Sequence, residues 1–222
     1  MNKNGRSLTL RGGNLAAITL CLLTTLRAFA AVETAQPADA LVDTIGVNIH
    51  LNYYDTAYNN YSTIIKPRLQ ELGIRHVRDG VIIGNTDKIT KLQDLYNSLG
   101  IKSILIADPR SCTAVQARDY IKTVGVNTVA YAEGPNEPDI SGNANWVNDT
   151  RAYQQALWNA IKGDPATANL PVVATSLTSD GAATALGNLT SYLDYGCIHN
   201  YYGGRSPETG GWGANGYGSL TA

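Results

Sequence analysis

Short apolar runs begin near residues 45, 74, 101, 126, 171 and 193, and between successive runs lies a stretch with helical spacing or loop composition. No hairpin signal intervenes, so the strands these runs predict are joined by crossovers and lie parallel. Six such units in one unbroken series point to an α/β fold of the TIM (β/α)8 barrel type, with about six βα units in this chain. A doubly wound sheet is the rival. Against it, Asn52-Tyr53-Tyr54 follows the first strand where a Gly-rich phosphate turn would stand.

The helical segments carry their own start and stop signals. Ile65, Leu69 and Leu72 share a face and Gly73 ends it, while Pro67 is tolerated only in a first turn and so predicts a start near Lys66. Ile89, Leu92, Tyr96 and Leu99 define the clearest helix, closed by Gly100. Val115, Tyr120, Ile121 and Val124 mark a third over residues 113–124, before Gly125. A fourth is expected over 150–162, and a short, weakly patterned one over 181–191. The strands are expected at 45–51, 74–80, 101–107, 126–132, 171–177 and 193–200.

Residues 1–30 read as a secretory signal peptide: Lys3, Arg6 and Arg11 precede an apolar run, and Ala28-Phe29-Ala30 is a small-x-small cleavage site. The run is short for a transmembrane span. Residues 31–44 read as a linker and 45–222 as the barrel domain, which the chain is expected to leave two units short of the ~250 residues a full barrel typically needs. The mature protein is then secreted or periplasmic. An incomplete barrel exposes parallel edge strands, which invites association.

A net charge of −1 gives no reason to expect nucleic acid or an anionic membrane as a partner. With thirteen tyrosines against one phenylalanine, the chain has aromatic groups with polar ends, suited to a sugar or to a hydrogen-bonded core. Cys112 and Cys197 remain after signal removal, and whether they pair is open. No Cys/His spacing resembles a zinc site, and no cofactor is implied. Sequons stand at Asn60, Asn148 and Asn188.

The chemistry concentrates at Tyr131-Ala132-Glu133-Gly134-Pro135-Asn136-Glu137-Pro138-Asp139, where the fourth strand runs into an acidic, proline-bracketed turn. Such turns lie at the carboxyl end of the sheet, where α/β proteins place their sites. Pro138 predicts extended geometry at Glu137. Arg78 ends the second strand, and His199-Asn200-Tyr201 ends the sixth. Glu133 reads as support for Glu137. His50 and Asp108 also sit at strand ends.

Asn136-Glu137 after the fourth strand, Arg78 after the second and His199-Asn200-Tyr201 after the sixth make residues 45–202 resemble the clan A glycoside hydrolases, the cellulase-like (β/α)8 enzymes. The resemblance implies an exported retaining glycosidase acting on a β-linked poly- or oligosaccharide. Glu137 would be the general acid/base, and Asn136, Arg78, His199 and Tyr201 would hold the substrate. In that clan the nucleophile ends a seventh strand, which this chain does not reach, so the chain alone is expected to be inactive. Residue by residue, plainer roles stay open: Arg78 as a structural partner of Asp79 or Glu133, and His199 as a satisfied core histidine. Two rival functions also stay open. One is a non-catalytic carbohydrate-binding protein on the same barrel. The other is a barrel lyase or isomerase, which would want a metal cluster or a lysine base.

Overall fold

The computed structural model describes Ala35 and residues 37–199. The signal-peptide reading, Asn200 and Tyr201 therefore lie outside the described residues. Residues 37–199 lie in one compact unit. Helix α1 (Ala38–Val42) occupies part of the stretch read as a linker, and both Asp39 and Asp43 pair with Arg75.

Five strands follow: β1 (Gly46–Asn48), β2 (His76–Gly80), β3 (Lys102–Ile106), β4 (Val129–Glu133) and β5 (Val172–Val173). They form one all-parallel sheet in the order β1-β2-β3-β4-β5. Among the described residues the sheet is open. The expected sixth strand is not formed over 193–199: its contribution is a single bridge from Tyr195 to Val173, with the Ala174 amide donating to the Tyr195 carbonyl at 2.9 Å. Gly196 interrupts a run that alternates too poorly to extend the pairing. The fifth strand shrinks from seven expected residues to two, although Ser176 still bridges to Asn136.

The helices are α2 (Lys66–Leu72), α3 (Thr86–Leu99), α4 (Ala114–Val124), α5 (Trp146–Gly163) and α6 (Asp180–Leu186). A single π-helical turn, Tyr61–Ile65, leads into α2, and Pro67 takes the first-turn position that needs no donor. Gly73 and Gly100 close α2 and α3 in the left-handed region, at φ 64° and 70°, where a Cβ would be strained. Thr113 opens α4 with a capping box to Gln116.

Strand alternation sets the two sheet faces apart. Val77, Leu105, Ala132 and Val172 are fully buried and belong to one core with Leu92, Leu95, Ile121, Leu157 and Ile161 of the helices. Each large apolar side chain of this core contributes roughly 1.5–3 kcal/mol on leaving water. The opposite face carries Asn48, Arg78, Ile104 and Tyr131, which pair in one row across the sheet. They line a cavity of about 420 Å³ with Val173, Tyr195 and Cys197.

Two helices keep most of their expected faces, with Ile89, Leu92 and Leu99 of α3 and Tyr120, Ile121 and Val124 of α4 at the core, and differ in the rest. On α3 the buried residues are Lys88, Leu92 and Leu95, because Lys88 carries its ammonium to a buried partner. On α4 Val115 is exposed, and Ala114 and Ala117 face the core instead.

Candidate functional site

The site begins where β4 ends. Gly134 has no room for a side chain: a Cβ there would meet the Thr175 amide at 2.9 Å and the Gln154 carboxamide closer still. Fully buried Gln154 bonds the Thr175 amide at 3.1 Å and the Val173 and Tyr192 carbonyls, stitching α5 to the strand that flanks the turn. Next, the Glu137 amide donates to the Ser176 carbonyl at 3.0 Å, which pins the turn to the neighbouring chain.

Glu137 does not adopt the extended geometry that Pro138 predicts. Its φ and ψ are 47° and 53°, the left-handed region, and it is the only non-glycine residue with positive φ among those described. A 3-10 turn over Pro138–Ile140 follows, and the Ser176 bonds set the entry. Tertiary bonds on both sides thus override the local preference, at a cost of about 1–3 kcal/mol. Strain of this kind concentrates at functional sites.

Glu137 and Asn136 open on a cavity of about 510 Å³ that Arg78, Asp108, Arg110 and His199 also line. Nδ1 of His199 lies 2.7 Å from Oε1 of Glu137. Arg78 grips Glu133 with Nε at 2.7 Å and Nη2 at 2.5 Å, and Nη2 also donates to Oδ1 of Asn136 at 2.8 Å. Glu133 is 2 % exposed, so this is a buried, bidentate ion pair. Burial pulls the Arg78 guanidinium down, but the Glu133 carboxylate outweighs it and raises it further above the usual range. Arg78 thus takes the Glu133 partnership, and it holds the Asn136 side chain in place.

On the other flank, Asp108 and Arg110 form a second pair through Nε at 2.8 Å and Nη2 at 2.6 Å. The same pair holds the Asn136 backbone: Oδ2 of Asp108 accepts from its N–H at 3.1 Å, and Nη2 of Arg110 donates to its carbonyl at 2.6 Å. Burial pushes the Asp108 carboxyl up, yet hydrogen bonds from the Arg110 side chain and from the Arg110 and Asn136 amides hold it below the usual carboxylate range. Beneath the cavity, Lys88 and Asp79 pair at 2.7 Å, and Asp79 also accepts from the Leu51 amide at 3.0 Å. His50 lies at the mouth, stacked on Tyr53 with ring centroids 4.4 Å apart.

Glu133, Cys197 and His199 bring potential ligand atoms within 4.8 Å of one another. Their chemistry does not suit a cation. Both Glu133 oxygens are bonded to Arg78, and burial, then the Glu133 charge, push the Cys197 thiol up to about 12. Cys112 and Cys197 both stand as thiols rather than as a bridge.

The structure therefore brings four of the sequence-expected site residues together: Glu137, Asn136, Arg78 and His199. Tyr201 is outside the described residues, and Tyr131 lines the cavity of the sheet's open face rather than that of Glu137. Sequence reading missed Arg110, Ser176 and Lys88. An Asp-Pro-Arg turn at the end of the third strand was the available signal for Arg110; nothing local distinguishes Ser176 or Lys88. No protein-family model matches the chain, and no curated protein matches it either.

Proposed function

We propose that the chain carries the acid/base part of an exported, retaining clan A glycoside hydrolase, built on a TIM-type (β/α)8 barrel. It would act on a β-linked poly- or oligosaccharide, with Glu137 as general acid/base. Strand order supports the barrel reading. Neighbours run 1-2-3-4-5 without the reversal that marks a doubly wound sheet, and successive helices α3, α4 and α5 pack on one another in chain order. Among the described residues no helix is long and apolar enough to cross a membrane.

The observation that carries the functional reading is the Glu137–His199 contact at 2.7 Å beside a fixed Asn136, at the carboxyl end of β4. Glycoside hydrolysis needs an acid that protonates the departing oxygen and later, as a base, activates water. Glu137 faces the cavity, and His199 orients its carboxyl. Asn136 offers its side-chain amide to a sugar hydroxyl, a bond that strengthens as the oxocarbenium-like state forms. Arg78 keeps that side chain aimed. The resemblance puts the second carboxylate on a seventh strand, after the units described here.

A second reading is supported by one observation: Glu133, Asp79 and Asp108 are each committed to Arg78, Lys88 and Arg110. Within the described cavity none of them is poised as a nucleophile, as in a carbohydrate-binding protein that does not cleave. Incubation with 4-nitrophenyl β-glycosides, beside a binding assay, tests the assignment of roles. The acid/base reading expects β-linked oligosaccharides to bind in the cavity of Glu137, and Glu137→Gln to leave that binding in place. Turnover by the chain itself, abolished by Glu137→Gln, would show that a nucleophile is already present and overturn the assignment of that role to a seventh strand.

A further inference from the structure

We propose that the Asp108–Arg110 ion pair is a positioning clamp for the Asn136–Glu137 turn, anchoring the two peptide groups that flank the Asn136 Cα. The role rests on reading Glu137 as the acid/base. The geometry of the clamp stands by itself.

Three features distinguish the pair from an ordinary surface ion pair. First, it is bidentate, with Arg110 Nε on one Asp108 oxygen and Nη2 on the other. Second, it closes on the backbone: one partner accepts from the Asn136 N–H and the other donates to the Asn136 carbonyl. The first bond holds the Pro135–Asn136 peptide group and the second holds the Asn136–Glu137 peptide group, so the two units that flank the Asn136 Cα are both anchored immediately before the strained Glu137. Third, the clamp comes from the β3 end and Arg78 from the β2 end, so backbone and side chain of Asn136 are held from separate strands.

Arg110 also acts at a distance. Asp108 is the main group raising its guanidinium, and the Glu137 charge adds to this, so the cation lies within the field of the acid/base carboxylate. Among the described residues His199 contacts Glu137, and the guanidinium groups of Arg110 and Arg78 lie within its field. Arg78 is neutralised by buried Glu133. Arg110 shares its charge with Asp108, yet its side chain is 57 % exposed. A substitution there therefore removes little packing, and the fold should survive it.

The test compares the full chain with Arg110→Gln, Arg110→Lys and Asp108→Asn by NMR. The probes are the amide and carbonyl resonances of Asn136 and the titration of the Glu137 carboxyl, assigned by its loss in Glu137→Gln. Arg110→Gln should shift the Asn136 carbonyl and move the Glu137 midpoint to higher pH. Arg110→Lys should restore the midpoint while leaving the carbonyl shifted, since lysine keeps the charge but lacks the fork. Asp108→Asn should move the Asn136 amide. Unchanged Asn136 and Glu137 signals in a folded Arg110→Gln protein would overturn the clamp. So would general loss of spectral dispersion in both Arg110 variants, which would make the pair a fold element instead. Failure of the chain to bind any β-linked oligosaccharide would sink the acid/base reading while leaving the clamp's spectra as predicted.

Discussion

Lys88 places its ammonium 2.7 Å from the Asp79 carboxylate, with side-chain exposures of 0 % and 1 %. The lysine comes from the first turn of α3 and the aspartate from β2, and Asp79 also fixes the Leu51 amide as the chain leaves β1. Asn52 accepts a further bond from Lys88 at 3.1 Å. Burial lowers the lysine's proton affinity, against the pull of Asp79. One buried pair therefore ties two strand ends to a helix under the cavity floor.

Breaking the pair on one side leaves a buried charge without its partner. Lys88→Met should cost about 3–5 kcal/mol in urea unfolding. The double variant Lys88→Met with Asp79→Asn should recover part of that loss, because the stranded charge is gone. Equal losses in single and double variants would show that the ion pair is not the source.

At Glu137 the expected effect has the opposite sign. Glycine accepts φ of 47° without strain, so Glu137→Gly should stabilise the chain by about 0.5–1 kcal/mol after the entropy of glycine is subtracted. Glu137→Gln keeps the Cβ and should stay within about 0.5 kcal/mol of wild type. Chemical denaturation measures both. A destabilised Glu137→Gly would mean that contacts of the side chain outweigh the strain.

The packing at Gly134 makes a third expectation. Gly134→Ala drives a methyl into Gln154 and the Thr175 amide, which also breaks the Gln154 bond to Thr175. A loss of about 2–3 kcal/mol is expected, read as a lower melting temperature. An unchanged melting temperature would mean that the turn shifts freely to admit the methyl.

Acid should weaken the region around Asp108. Its folded carboxyl titrates below the ordinary range, so at acid pH the unfolded chain binds the proton first. The stability it contributes is present above the unfolded value of about 4 and is lost as pH falls through the lower folded value. Asp108→Asn should flatten that part of the stability–pH curve below about pH 5. A curve that keeps its wild-type slope there would assign the acid sensitivity to other carboxylates.

Regular elements were legible where one residue type decides the backbone. Gly73 and Gly100 end their helices as expected, Pro67 marks the first turn of α2, and the alternation of strands and helices gives the parallel sheet. Among the described residues the parallel sheet has five strands and is open, and its closure into a barrel belongs to the proposed function. Local rules failed where distant bonds prevail. Pro138 argues for an extended Glu137, yet Ser176, 39 residues on, sets a left-handed turn. Lys88 reads as a surface residue of α3 because its partner Asp79 lies on another element. Over 193–199 the apolar run looks like a strand, but only the Tyr195 bridge forms among the described residues. Of the expected site residues, Arg78 lies in β2 and Asn136 and Glu137 follow β4, while His199 reaches Glu137 without a formed sixth strand before it.

The most direct test of the central claim is calorimetric titration of the purified chain with cellohexaose, xylohexaose, mannohexaose and laminarihexaose, alongside Asn136→Ala. A carbohydrate site at Glu137 predicts binding to at least one of the four. It also predicts an affinity about tenfold weaker or worse in the Asn136→Ala protein, with the fold intact. Binding to none of them, or binding that ignores the loss of the Asn136 side chain, would contradict it.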